Sequence, residues 1–364
     1  MLKLCMHACL VLWLYTGSAP AQQSTFIPLD ADTYASGISA DGSIVIGNYY
    51  SPQTQGNGGG FYWTTDTGTV NIGANGVAGI SADGTTIVGR ANDAMGHENA
   101  AIWQGGTDWQ LLGSFGSAPC DNLLSEAYAV TGDGSAIVGL GWDGCSHAHG
   151  FRWDAMTGMA DLGSVVATRA SRANAVSADG STIVGWSDQA TGFRQGARWV
   201  DGAWQWLDNE YGPVGEALGV NASGSIIVGY SCGPLGQWAW YWTEETGVNC
   251  INGTIAEPDR TYMYALSDDG SVIGGWVRPD FGPYTEAVLW FNLEPVNLRQ
   301  YLLDNGVSEV QSWTLSSVTA VSADGSVVAG TGIGPDNRVH GFVVTLPQGS
   351  LSARRSSSNR NGEI

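Results

Sequence analysis

Asp143, His147 and His149 form a D-x-x-x-H-x-H run, in which carboxylate and imidazole stand at a spacing that suits a divalent metal. Loop histidines at such spacing are ordinarily solvated, so no metal and no other cofactor is expected. His97 and His340 also fall on irregular segments. Acid pairs such as Glu244 with Glu245, or Glu257 with Asp259, have the chemistry for glycosidic hydrolysis or elimination. In a chain with 34 acids against 14 bases, neighbouring carboxylates are expected anyway. There is no Gly-x-Ser-x-Gly elbow, no CxxC and no HExxH, so no catalytic residue is assigned. Aromatics offer a different chemistry. Trp186, Tyr230 and Trp276 each directly follow a strand that ends in glycine, with Trp142 nearby, and such rings can stack on sugars or cap strand ends.

The elements that must position these residues are suggested by composition. The chain of 364 residues holds 53 glycines, 12 prolines and 16 tryptophans, and only 13% of it is charged. Glycine at that density argues against helical bundles and long βαβ units, while 43% hydrophobic residues are too many for a disordered chain. The reading is all-β.

A repeat organises the sequence. GISADGSIVIG at Gly37 recurs as GISADGTTIVG at Gly79, AVTGDGSAIVG at Ala129, AVSADGSTIVG at Ala175, GVNASGSIIVG at Gly219, ALSDDGSVIGG at Ala265 and AVSADGSVVAG at Ala320. The turn glycines are Gly42, Gly84, Gly134, Gly180, Gly224, Gly270 and Gly325. Each unit continues into a strand ending in Trp63, Trp103, Trp153, Trp199, Trp242 or Trp290, with Val344 in the seventh, and most then have a short final run such as MADLG. Alternation on either side of Ala-Asp-Gly gives two strands joined by a type I turn with a glycine bulge. The tryptophan strand and the final run complete a four-stranded antiparallel meander of about 45 residues, the blade length of a β-propeller. The repeated tryptophans are expected to pack against the neighbouring blade, and the repeated aspartates to build turns, since one carboxylate per hairpin is far short of a calcium site.

The two ends complement each other. Unit seven lacks a fourth strand, and residues 26–30 resemble an orphan one. The expectation is a seven-bladed β-propeller closed by the N-terminal strand completing the last blade, over residues 22–349. Residues 1–21 read as a signal peptide, with Lys3, an apolar run and Ala19-Pro20-Ala21, and residues 350–364 as a disordered polar tail. Loss of Lys3 leaves a charge of −21 and no lysine, which disfavours nucleic acid and anionic membranes and excludes Schiff-base chemistry.

The recurring A-V-S-x-D-G-S-x-I-V-G followed by G-F-x-W resembles the bacterial extracellular HAF-type repeat family, over residues 26–346. The order hairpin, Gly-Gly, tryptophan strand is similar to Kelch blades, most closely at Val272-Ile273-Gly274-Gly275. The resemblance implies a secreted or surface-associated repeat protein with no agreed enzymatic activity. Ser223 for the turn aspartate and Val344 for the tryptophan depart from the pattern.

In an antiparallel meander the loops from strand two to three and from blade to blade share one face, opposite the Asp-Gly turns. The long segments fall on that face: 48–60, 90–99, 141–149, 187–196, 232–237, 278–285, 332–340 and the linker 299–317. Loops on a rigid scaffold are where function concentrates. The candidate ligand-binding set is Trp142, Trp186, Tyr230, Trp276, His97, His147, His149 and His340. Four cysteines remain after residue 21, and the shared face pairs Cys120 with Cys145 and Cys232 with Cys250, in an oxidising compartment. The resulting expectation is a secreted, extracellular or periplasmic monomer that binds a glycan or an extracellular protein without catalysis and without membrane insertion. The alternatives are a polysaccharide lyase or hydrolase using His and Asp at the channel mouth, and a structural envelope or matrix component.

Overall fold

The computed structural model describes residues 23–51, 56–116, 119–145, 148–210, 212–233, 236–251, 258–279 and 285–347. Residues 1–21, read from sequence as a signal peptide, His147, and residues 350–364, read as a polar tail, lie outside them. The described residues are mainly β-strand, in antiparallel four-stranded units. The first sheet is Thr33–Ile38, Val45–Ser51, Gly56–Thr64 and Gly68–Asn71, in sequence order. The second starts at Gly76–Ile80, the third at Ser125–Val130 and the fourth at Ser171–Val176. The units starting at Ala217–Val220 and Pro258–Leu266 are joined into one larger sheet by a single pairing of Tyr230 with Tyr262. The last sheet holds Thr314–Val321, Val327–Ile333 and Val339–Thr345, and its outer strand is Thr25–Ala31 from the N-terminal end, paired antiparallel to Val339–Thr345.

The Asp-Gly turns form as the sequence predicts. Gly42 N–H donates to Ser39 O at 3.0 Å, and φ is +75° at Gly42, a region that glycine enters without strain. The turn aspartate is an acceptor for its own hairpin: Asp41 Oδ1 takes hydrogen bonds from Ser39 Oγ, Ser43 N–H and Ser43 Oγ. Where Ser223 replaces the aspartate, Asn221 compensates, its Nδ2 donating to Ser223 Oγ and Ser225 Oγ while its Oδ1 accepts from Ile226 N–H.

The same turns are tied to one another. Ala40 N–H donates to Ala82 O, Ala82 to Gly132, Gly132 to Ala178, and Ala178 to Ala222, each at 2.9–3.0 Å. Asp268 N–H then donates to Ala323 O, and Ala323 N–H to Ala40 O, both at 2.9 Å. The link from 222 to 268 is made instead by Asn221 Nδ2, which donates to Asp268 O at 2.9 Å. The first strands of the seven units neighbour one another in the same order, with Thr314–Val321 beside Thr33–Ile38.

Apolar packing runs between sheets. Trp103 packs with Ile46, Trp153 with Val88, Trp199 with Val138, Trp242 with Val184 and Trp290 with Val228, each on the preceding sheet. Val344 does the same against Val272, and Trp63 packs with Ala329 and Val343 of the last sheet. Burial is less uniform than the repeat implies. Trp63, Trp242 and Trp290 are buried, whereas Trp103, Trp153 and Trp199 are partly exposed. The Trp103 indole N–H reaches outward to Gly106 O in its own hairpin, so an edge of that ring meets solvent.

Two expectations are corrected. Several segments read as irregular are continuations of strands: Gly56–Thr64, Ala136–Trp142, Ile183–Asp188 and Val272–Pro279 carry the ladder far towards the loop face. The linker 299–317 holds a helix, Leu298–Asp304, and a 3-10 turn, Ser308–Ser312. Asn297 caps the helix by accepting from Gln300 N–H, and Leu298, Tyr301 and Leu302 bury one face. The helix is too short for its period to stand out in sequence.

Backbone and hydroxyl donors hold the turn carboxylates below the ordinary aspartate range. Asp133 is lowered to about 2 by Ser135 N–H, then by the Ser135 and Thr131 hydroxyls, and Asp41, Asp83 and Asp179 are lowered by equivalent donors. A depressed folded-state pKa contributes stability that is present above the unfolded value, near 3.9, and is lost as pH falls through the folded value. The urea midpoint should therefore hold between pH 7 and about pH 5 and fall from there towards about pH 2, as measured by denaturation at a series of pH values.

Candidate functional site

The position eight residues before each turn glycine is one at which the repeats diverge. It holds Tyr34, Gly76, Glu126, Arg172, Glu216, Tyr262 and Ser317. The next residue is uniformly apolar and buried, as at Ala127, Ala173, Ala217 and Met263. Backbone geometry explains the pair. The glycine that closes each Ile-Val-Gly or equivalent run in the second strand lies against the carbonyl of the divergent residue: a Cβ on Gly185 would stand 1.9 Å from Arg172 O, and one on Gly275 would stand 1.9 Å from Tyr262 O. That close approach, next to the register shift in the first strand, fixes where the divergent side chains emerge.

Those side chains make a connected polar and aromatic wall. Arg90 lies 3.3 Å from both Glu98 and Glu126, and Tyr128 Oη donates to Glu126 at 2.9 Å. The Arg172 guanidinium sits 5.4 Å from the Tyr128 ring centre, donates Nε to Asn174 and Nη2 to Glu216 at 2.6 Å. Arg194 donates to the other oxygen of Glu216 at 2.8 Å and covers the Trp186 ring at 4.4 Å. Glu216 is only 4% exposed and is paired with two guanidinium groups. Beyond it, Tyr230, Tyr262 and Trp276 stack in series, each pair 4.2 Å apart at 15°, and Trp276 Nε1 donates to Tyr264 Oη.

Electrostatics keep the phenols neutral. Burial, with Glu216 adding to it, pushes Tyr230 up to about 12, and burial also raises Tyr34, Tyr262 and Tyr264. At neutral pH these groups remain O–H donors. Asp188, on the strand that carries Trp186, is raised by burial, against the pull of Arg194 and Arg169. Arg90 Nε and Trp186 Nε1 are buried and find no acceptor among the described residues.

No protein-family model matches the chain, and no curated protein sequence matches it. Solved structures do. The β-propeller domain of the Trilobed protease from Pyrococcus furiosus, described as having an open velcro topology, aligns with a TM-score of 0.53 at 10% identity, over 86% of this chain and 94% of that one. Pyrococcus horikoshii acylaminoacyl peptidase aligns at 0.51 and 9% identity, over 82% of this chain and 49% of its own. A structure from work on two prolyl endopeptidases aligns at 0.51 and 10% identity, over 88% and 47%. The chain has a β-propeller fold. At these identities the likeness is one of fold alone.

On the propeller, the residues singled out from sequence separate into two groups. Trp186, Tyr230 and Trp276 join the wall through Arg194, Glu216 and Tyr262. Trp186 is 4% exposed and sits beneath Arg194 rather than open to solvent, and Trp142 is half-buried at the end of its strand. Among the described histidines, His149, His340 and His97 each face a neighbouring carboxylate. His149 Nδ1 is 2.9 Å from Asp161 Oδ2 and Nε2 is 3.2 Å from Arg169 O, and the hydrogen bond to Asp161 raises its pKa. His340 Nδ1 faces Leu29 O and Nε2 faces Asp336, tying the last sheet to the N-terminal strand. His97 is 3.5 Å from Asp93 in its own hairpin. Cys120, Asp121 and Cys145 cluster tightly, but both sulfurs are in a disulfide and cannot act as thiolate ligands.

Arg90, Glu126, Arg172, Glu216 and Tyr262 were not singled out from the sequence. Aligning the seven repeats on their turn glycines and asking which column loses its pattern would have found four of them; Arg90 faces the Gly76 of that column across the first strand pair.

Both disulfides are as the shared face implies, Cys120–Cys145 and Cys232–Cys250, closing sequence separations of 25 and 18. Loops of that size constrain the unfolded chain by about 3 kcal/mol each in the chain-entropy picture. Non-reducing peptide mapping should recover these two linked peptides and no Cys145–Cys232 peptide. Among the described residues no helix is long and apolar enough to cross a membrane.

Proposed function

We propose that the protein is a secreted, non-catalytic binding module: a seven-bladed β-propeller, closed by its N-terminal strand, that takes a ligand on the loop face at the mouth of the central channel. The observation that carries this reading is the wall from Arg90 through Glu126, Arg172 and Glu216 to the Tyr230–Tyr262–Trp276 stack, built from a first-strand position at which the repeats diverge and from second-strand residues that face it. A wall of this kind costs stability to assemble, since it buries a carboxylate and stacks half-buried rings where apolar residues would pack. Closure is supported by the turn-to-turn hydrogen bonds returning from Ala323 to Ala40, and by the pairing of Thr25–Ala31 with the last sheet. Export is supported by the two disulfides, which persist in oxidising compartments. A non-catalytic role is supported by His149 and His340, whose ring nitrogens are all engaged by the scaffold. The repeat itself supports placement beside the HAF-type proteins.

The experiment is a combined glycan and extracellular-protein array, with product analysis on every ligand that binds. Binding without turnover, weakened at least tenfold by Tyr262→Ala while the thermal midpoint is retained, is expected. Cleavage of a bound glycan, or binding indifferent to Tyr262→Ala, contradicts the proposal.

A further inference from the structure

The ligand class can be narrowed from the same wall, and this step rests on the binding reading above. The chain is strongly acidic, at −20, yet half of the ten arginines before residue 348 stand at this mouth: Arg90, Arg172 and Arg194, with Arg260 and Arg278 paired across the strands beside Tyr262. Arg194 is 56% exposed and uses one of its five N–H donors on Glu216; Arg172 uses Nε and Nη2 and keeps the others. Tyr262 has given both faces to Tyr230 and Trp276, so it presents its edge, the electropositive part of an aromatic quadrupole, and Tyr230 and Tyr262 add neutral phenol O–H groups. Guanidinium N–H, phenol O–H and ring edges all favour an anion. Around the same wall, Glu98, Glu126 and Asn174 alternate acceptors with these donors, a mixture that suits a polyhydroxylated chain.

We infer that the mouth binds an acidic glycan, a chain of uronic acid units whose carboxylate lies against Arg172 and Arg194 and whose hydroxyls meet the alternating donors and acceptors beside them. The carboxylate accepts the guanidinium hydrogens that Glu216 leaves free, which is the bidentate geometry arginine favours. Attraction of this kind weakens with salt.

Titration calorimetry on the full chain, at low ionic strength, tests it with four probes: an oligogalacturonate of about six units, its methyl ester, a neutral cello-oligosaccharide and a polyglutamate peptide. The acidic glycan should bind at least tenfold more tightly than its ester and than polyglutamate, and binding should weaken between 20 and 300 mM salt. Arg194→Gln, at an exposed rim position, should lose about tenfold at a temperature where the variant is fully folded. Arg338→Gln, which breaks an ion pair with Asp32 elsewhere, should leave affinity unchanged. Equal binding of acid and ester, or indifference to Arg194→Gln, overturns the carboxylate assignment while leaving a glycan-binding module in place. Preference for polyglutamate overturns it in favour of an acidic peptide. Binding of no probe, with a ligand found elsewhere on the array, overturns the ligand class alone; binding of nothing on either test overturns the binding module as well.

Discussion

Trp290→Ala should lower the unfolding free energy by about 3–5 kcal/mol, the range for removing a large aromatic from a core that cannot collapse around the gap. Trp290 is 0% exposed and sits between two sheets, with Val228 and Ala239 on one side and Ile273 and Val288 on the other. Deleting the indole therefore removes packing inside its own sheet and across the interface that joins it to the preceding one. The indole N–H finds no acceptor among the described residues, so the ring contributes as apolar bulk. Trp290→Phe keeps much of that bulk and sheds the unpaired donor, and should cost clearly less, about 1–2 kcal/mol. Urea denaturation of the two variants separates the cases. A loss below about 1 kcal/mol for the alanine variant would mean that the sheets do not pack through this tryptophan. Trp103→Ala, at a partly exposed ring, should be milder than Trp290→Ala.

Gly185→Ala should be about as damaging, at roughly 3 kcal/mol or more, and should abolish ligand binding at the mouth. Its backbone does not need glycine for a left-handed turn; what it needs is empty space. The added Cβ would stand 1.9 Å from Arg172 O and 2.9 Å from the carbonyl carbon, both backbone atoms that cannot rotate away. The strands must separate, which strains the pairing of Ala173 with Gly185 and draws Arg172 from Glu216. Gly330→Ala makes the same collision with Ser317 O at 2.1 Å, in a unit that contributes no residue to the wall. It should lose comparable stability but, at a temperature where both variants are folded, disturb binding far less. Equal binding losses in the two variants would detach the glycine from the placement of Arg172.

The sequence carried the repeat, its four strands, the turn chemistry and the complementary ends, because each rests on local rules repeated seven times. Asp-Gly turns, period-two alternation and the tryptophan strand are each short-range signals, and the disulfide pairs followed once the loops were assigned to a face. The site was only half legible. Trp186, Tyr230 and Trp276 stand next to the Ile-Val-Gly or Ile-Gly-Gly run and catch the eye, whereas Arg172 and Glu216 look like ordinary charges on a strand of mixed polarity. What joins them is contact between first strands of successive units, about 44 residues apart in sequence, and no local pattern reports that. The surroundings of His149 were hidden for the complementary reason. A histidine on a loop reads as available, while its partners, Asp161 and Arg169 O for His149, are supplied by packing. Strand extension was missed because the residues past Ile-Val-Gly, such as Asn48, Arg90 and Ser187, are polar and do not alternate.

The ring of turns is the central structural claim, and amide hydrogen exchange reads it directly. Ala40, Ala82, Gly132, Ala178, Asp268 and Ala323 lie in surface turns, where amides normally exchange quickly, yet each donates to the next turn. A closed propeller predicts that all six are protected to a similar degree, and that Ala323, whose bond to Ala40 O joins the last unit to the first, is as slow as Ala178 in the middle of the chain. Fast exchange at Ala323 beside slow exchange at Ala82 and Ala178 would describe an open arc, and would contradict the closed ring on which the mouth and its ligand depend.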